Sequence, residues 1–183
     1  MKTILLSIGA ASFIAALCAA NLQAAETNTP PARIGIYDSR AVAYAHFSTA
    51  EHLQQINKAK QAAQAVRDAG QTNHFQELAA VLRQGQEEIH REVFSTAPAS
   101  DAMAALKDRL PEIQKEAGVS VLVSKWDDAA LKKYPDAGQV DVTDRLVREF
   151  KPTARQLKVI SGFEKSKPLP LDECNELIRK GEI

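Results

Sequence analysis

The sequence has few cysteines, few aromatic residues and no excess of charge of either sign. Its 183 residues include two cysteines and one tryptophan, and aromatic side chains make up 5% of the chain. Basic residues and acidic residues number 23 each. Proteins that bind nucleic acid are usually basic, and those that bind single strands offer aromatic stacking surfaces. The composition therefore argues against nucleic acid as a partner.

The sequence also lacks the short motifs of common catalytic and metal-binding sites. It contains no HExxH zinc motif, no CxxC pair, no GxSxG nucleophile motif and no phosphate-binding loop. The best metal candidate is the pair Glu87 and His90, which share one helix face. Di-iron bundles need two such pairs and two further glutamates, and only one pair is present. We therefore expect no enzyme activity, no cofactor and no metal, and metal binding at this pair is a third alternative for function.

The first 25 residues have the pattern of a secretory signal peptide. Lys2 supplies a positive start, residues 4–20 are uncharged and apolar, and the alanine pairs at 19–20 and 24–25 are candidate cleavage points. One alternative is a retained membrane anchor, although the apolar run is shorter than the ~20 residues that span a bilayer. Another is acylation at Cys18. We expect a secreted, periplasmic protein that begins near Glu26.

Removal of a signal peptide would leave Cys174 as the only cysteine, so no internal disulfide could form. We expect this cysteine to be a buried small residue on a short terminal helix rather than half of an intermolecular pair. Lys2 is the one charged residue before Glu26, so the rest of the chain carries 22 basic and 23 acidic residues. Residues 26–32 are predicted to be a disordered lead-in.

A long polar stretch, rich in alanine, glutamine and glutamate, lies between two short β-type runs at 33–38 and 118–124. We predict that residues 48–117 form a helical hairpin: a helix going out, a reversal at 98–100 and a shorter helix coming back. Because two strands do not make a stable sheet, either a third strand lies in 139–142 or several chains share one sheet. The expected fold is of the α+β class, with a small base of β-strands from which a long helical hairpin projects. We expect the protein to be oligomeric.

The outgoing helix carries apolar residues at a spacing close to a heptad repeat, which gives a narrow apolar stripe. This stripe is the candidate surface for binding a client or partner, and its alternative role is packing within the hairpin. Trp126 is predicted to pack at the base, and with Tyr134 it is a second candidate for a partner contact. The candidate stripe residues are Phe75, Leu78, Leu82, Ile89, Val93 and Phe94.

Three stretches resemble the Skp/OmpH family of periplasmic chaperones. They are RIGIYDSRAV at 33–42, GVSVLV at 118–123 and VDVTDRLV at 140–147. The resemblance implies an OmpH-like domain at 33–151, followed by a C-terminal extension at 152–183. It also implies a homo-trimer with a small β core and helical arms that enclose a cavity, in which unfolded outer-membrane proteins are held without ATP.

The expected function is therefore an ATP-independent periplasmic holdase-type chaperone, or a close relative, that binds unfolded envelope proteins. Residues 51–118 carry 8 basic and 10 acidic residues, whereas the arms of the family are strongly basic. The alternative is a non-catalytic envelope adaptor or structural protein that docks a partner through the hairpin.

Overall fold

The computed structural model describes residues 32–183, so the predicted signal peptide and nearly all of the predicted lead-in lie outside the described residues. This part of the chain contains three strands, β1 (Arg33–Tyr37), β2 (Leu122–Ser124) and β3 (Gly138–Asp141). Its helices are α1 (Ser39–Phe47), α2 (Ala50–Asp68), α3 (Thr72–Phe94), α4 (Ser100–Ala105), α5 (Leu110–Ala117), α6 (Asp128–Leu131), α7 (Thr143–Glu149), α8 (Ala154–Phe163) and α9 (Leu171–Lys180). A small sheet among many helices confirms the expected α+β class.

The sheet is parallel, with the strand order β2-β1-β3. In its register, Gly35 lies beside Leu122 on one side and beside Val140 on the other. The third strand, β3, overlaps residues 139–142, so the first of the two alternatives left open by the sequence is the one observed. Because three strands pair within one chain, the sheet does not require strands from a second copy.

Gly35 allows the central strand to pack closely against its neighbours. A Cβ atom at this position would lie 2.7 Å from Leu122 Cδ2 and 3.2 Å from Val119 Cγ2. Neither distance leaves room for a methyl group without movement of the neighbouring side chains. The absence of a side chain at Gly35 therefore leaves space over β1 for the side chain of Leu122.

Helix α1 is the centre of the core. Val42 and the three alanines at 41, 43 and 45 are all buried, and the helix packs against α3, α4, α7 and α8. Small side chains let several helices approach one backbone closely, and a helix that is apolar on every side is expected to be surrounded. Leu146 and Val147 of α7 complete the core beside it and are also buried.

The helical hairpin differs from the prediction, because α2 and α3 form it and its turn lies at Gly70 rather than at 98–100. Gly70 adopts the left-handed conformation with φ +70°, which glycine reaches without a steric penalty. The Gly70 N–H donates to Arg67 O, and the Gln71 N–H donates to Val66 O. These two bonds form a Schellman motif, which satisfies carbonyl groups at the end of α2 and so ends the helix there.

The predicted returning helix is also replaced by other structure. After α3 ends, residues 95–99 are not helical, and the Thr96 N–H donates to Leu169 O. Two short helices, α4 and α5, follow, and their buried residues join the core around α1. We call the part of the protein built on this core the body. Pro111 lies in the first turn of α5, where its missing N–H costs no hydrogen bond, so it begins a helix and does not kink one.

The segment 152–183 packs on the rest of the chain, since α8 contacts α1 and α9 contacts α3. Cys174 of α9 is fully buried, which confirms the expectation of a buried cysteine on a short terminal helix. Its Sγ lies 3.8 Å from His90 O, and burial raises the pKa of the thiol. In residues 32–183 none of the helices combines the length and apolar character needed to cross a bilayer.

Candidate docking groove

A groove of about 800 Å³ lies between α2 and α3, and we call it the docking groove. Its α2 wall includes Ile56, Ala59 and Ala63, and its α3 wall includes apolar residues of the predicted stripe. Phe47 and His52 lie at the end nearest the body. Thr49 sets the start of α2, because its hydroxyl accepts a hydrogen bond from the His52 N–H at 3.3 Å.

The structure brings only part of the predicted stripe into this groove. Phe75, Leu82 and Ile89 line it, and Leu78 is half-buried on the same helix outside the lining set. Val93 is buried in the core, so it packs within the body. Phe94 is 43% exposed, and its ring centroid lies 5.5 Å from that of His90. Three of the six candidates thus meet in one concave surface.

The docking groove is open because the two helices do not fully bury each other. Ala63 is the only buried residue of α2, and the apolar residues that face it from α3 are half-buried. Val81, which also lines the groove, is 66% exposed. A two-helix hairpin without a third element leaves its inner apolar stripe partly in water, and such a surface is typical of a binding site.

Charge around the docking groove is nearly balanced. Residues 50–94 carry five basic and six acidic residues. Lys60 and Arg83 line the groove together with Glu88 and Asp101. A groove of this kind has no strong field of one sign, so contacts with a bound chain would be mainly apolar.

Two histidines and two phenylalanines cluster near the end of the docking groove where Phe47 and His52 line it. The ring centroids of His46 and His52 are 5.6 Å apart, and Phe47 lies 5.1 Å from each histidine. Phe150 packs on His46 at 5.3 Å. Burial, together with the nearby His52, lowers the pKa of His46, so this imidazole favours its neutral form. Among residues 32–183 the buried His52 Nε2 has no hydrogen-bond partner.

Glu92, in the last turn of α3, is buried. Its Oε1 accepts hydrogen bonds from the Ser100 N–H at 2.8 Å and from the Asp101 N–H at 3.3 Å, which caps α4. Burial raises the pKa of Glu92 to about 7. A side chain from the preceding helix therefore supplies the cap. Nothing local in the sequence marks this role, because Ser100 comes eight positions after Glu92.

A second buried polar cluster lies at the carboxyl end of β1. Asp38 caps α1, and its carboxylate accepts hydrogen bonds from Arg40 Nε at 3.2 Å and from Trp126 Nε1 at 2.9 Å. Lys125 Nζ lies 2.9 Å from Asp38 Oδ2. Burial alone would raise the pKa of Asp38, but the hydrogen bonds from Arg40, Trp126 and Lys125 hold it below its usual value. We call these four residues the Asp38 cluster.

The Asp38 cluster joins distant parts of the chain. The Arg40 guanidinium also donates to Phe163 O at 2.9 Å and to Ser166 O at 3.0 Å. It lies 4.9 Å from the Trp126 ring centroid, a distance suited to a cation–π contact. Both carboxylate oxygens and the guanidinium are thus engaged in contacts that hold the sheet, α1 and the end of α8 together. This arrangement is suited to a structural role.

Among residues 32–183, the pair Glu87 and His90 does not belong to a larger group of potential metal ligands. Glu87 lies 3.4 Å from the guanidinium of Arg91. In the part of the chain that the structure describes, no group of three or more potential ligand side chains could hold a metal ion.

No family model, no curated protein and no solved structure matches this chain. The resemblance to periplasmic chaperones therefore rests on the three short stretches identified in the sequence. The last of them, residues 140–147, forms the end of β3 and most of α7, a strand followed directly by a helix.

Proposed function

We propose that this protein is an ATP-independent holdase-type chaperone of the periplasm, or a close relative of one, and that it binds apolar segments of unfolded envelope proteins in the docking groove. The observation that supports this proposal is the half-open apolar face between α2 and α3. Exposed apolar surface in a concave groove favours segments that have not yet buried their own apolar residues.

Binding of this kind requires no chemical step. Phe75, Leu82 and Ile89 would provide weak, non-directional contacts that accept many sequences. Because burial of apolar area carries little directional information, one groove can hold unrelated clients. Release follows when a client buries its own apolar residues by folding or by entering a membrane.

Replacing Leu82 with glutamate is expected to weaken client binding by about tenfold or more, since a charge in the groove would lose water when a client covers it. The measurement is the suppression of aggregation of a urea-denatured outer-membrane protein after dilution, followed by light scattering. Leu53→Glu is the matched control, because Leu53 is 48% exposed on α2 and does not line the groove.

Equal losses in the two variants would contradict a role for the docking groove, and so would an unchanged Leu82→Glu. The near balance of charge adds a second criterion. Client affinity should change little between low and high salt, because few ion pairs form on binding. A steep loss of affinity with salt would point to charge attraction instead.

The adaptor alternative gives a different result in the same assay. An adaptor would bind one folded partner at a fixed ratio, and it would not suppress the aggregation of several unrelated clients. Amphipathic helices commonly bind in apolar grooves of this kind, and this mode would suit such a partner.

A homo-trimer is part of the proposal, because the resemblance implies it. The three strands of the sheet come from one chain, so a trimer would not depend on strands shared between copies. We expect light scattering after size exclusion to give three times the mass of one chain for the protein from Glu26 onward. A monomer would contradict a shared cavity and leave each docking groove to act alone.

A further inference from the structure

The edge strand β2 presents backbone groups that neither of the other two described strands uses. The Gly35 N–H donates to Val121 O at 2.8 Å, and the Lys125 N–H donates to Tyr37 O at 2.9 Å. Successive residues of a strand direct their N–H and C=O groups to opposite edges. With the residues at 121, 123 and 125 directed toward β1, the backbone groups of Leu122 and Ser124 are directed away from the sheet.

These outward groups are mostly unpaired within residues 32–183. The Ser124 C=O accepts a hydrogen bond from the Asp127 N–H at 3.0 Å. The Leu122 N–H and C=O and the Ser124 N–H have no backbone or side-chain partner in this part of the chain. An edge strand with free donors and acceptors can pair with another extended chain.

A groove of about 410 Å³ runs along this edge, and we call it the β2 edge groove. Residues 121–124 form one side of it, and Thr96 and Pro98 line it from the non-helical segment that follows α3. Tyr37, Trp126 and Tyr134 contribute aromatic side chains. The groove therefore offers backbone hydrogen-bonding groups together with apolar surface, the combination used when a peptide adds a strand to a sheet.

Charge in the β2 edge groove has a preferred sign. Asp127 and Asp128 line it, and among residues 32–183 Lys133 is the only basic residue that does so. Burial first, and then Asp127, raises the pKa of Tyr37. A bound segment would therefore gain from a basic side chain placed near the two aspartates.

We propose that the β2 edge groove binds an extended segment of another polypeptide as a fourth strand of the sheet, and that it favours a segment with alternating apolar residues and one lysine or arginine. This site is separate from the docking groove, so the inference does not depend on the proposed holdase function. A second copy of this chain is the competing occupant. The wall formed by Thr96 and Pro98 would obstruct a folded sheet edge more than a single extended chain.

The test is amide hydrogen exchange, measured by NMR on the protein from Glu26 onward. The probe is a ten-residue peptide in which valine alternates with threonine and one central threonine is replaced by lysine. We expect the peptide to slow exchange about tenfold or more at Leu122 and Ser124. The Val123 N–H, which faces β1, should be slow both with and without peptide. This alternation along β2 would not result from general stabilisation.

Modified peptides and protein variants make the test decisive. Methylation of alternate peptide nitrogens in the register that faces β2 should abolish binding, whereas methylation in the other register should not. Asp128→Asn should weaken the lysine peptide severalfold, while Asp136→Asn, at an exposed aspartate outside the groove, should not. Leu82→Glu should leave this binding unchanged, which separates the result from the holdase assay.

Three outcomes would overturn the inference. Unchanged exchange at Leu122 and Ser124 at saturating peptide would exclude strand addition. Equal binding of peptides methylated in either register would exclude backbone pairing. Protection of both amides that rises with protein concentration in the absence of peptide would assign the edge to a second copy of this chain.

Discussion

Replacing Asp38 with alanine is expected to lower the free energy of unfolding by about 3–5 kcal/mol, because it would leave Arg40 buried without its carboxylate partner. The side chains of Asp38 and Arg40 are 2% and 3% exposed, so water cannot solvate the guanidinium that loses its partner. The substitution would also remove the acceptor of Trp126 Nε1 and the partner of Lys125. Chemical denaturation followed by circular dichroism measures the change.

Two comparisons make this prediction specific. Asp136→Ala, at an exposed aspartate, should change stability by less than about 0.5 kcal/mol. The double variant Asp38→Ala with Arg40→Met should recover part of the loss, because it removes the unpaired buried charge. A loss below about 1 kcal/mol for Asp38→Ala would mean that water reaches the guanidinium.

The second large effect is a dependence of stability on pH that Glu92 creates. Its pKa in the folded protein is about 7, above the ordinary value of 4.5. The folded state therefore binds the proton more tightly than the unfolded state does. The resulting stabilisation is complete below pH 4.5 and is lost as the pH rises through 7. Between pH 5 and pH 8, we expect Glu92 to reduce the free energy of unfolding by about 2–3 kcal/mol.

Glu92→Gln tests this effect because it keeps an oxygen for the Ser100 and Asp101 amides and cannot ionise. The difference in denaturation midpoint between pH 5 and pH 8 should shrink in this variant. Glu77→Gln, at an exposed glutamate of the same helix, should behave like the unchanged protein. Identical pH profiles for Glu92→Gln and the unchanged protein would assign the dependence to other groups.

The elements that could be predicted are those with strong local signals. The strand at 33–37 has β-branched residues beside turn residues, and Cys174 lies on an amphipathic helix after a proline. The hairpin turn was placed wrongly because Gly70 and Pro98 both interrupt a helix, and their local chemistry does not say which one reverses the chain. Packing of α3 against α1 determines where the chain reverses, and that contact joins residues far apart in sequence.

The docking groove was predicted in part for a similar reason. Periodicity identifies the face of α3 that carries Phe75, Leu82 and Ile89, but it does not say where along the helix another element covers that face. Val93 has the same spacing and is buried under the body. The partner residues on α2 and the free edge of β2 depend on the hairpin turn and on the strand order, which no local pattern specifies.

The position of β1 at the centre of the sheet also determines when this protein can fold. Synthesis produces the central strand first, but its partners follow only roughly ninety residues later in β2 and then in β3, so the sheet has high contact order. Until then, β1 has no strand to pair with. Helices α2 and α3 can pair soon after they are made, since their contacts are local. The hairpin can therefore form early, while the body that carries it has to wait for most of the chain.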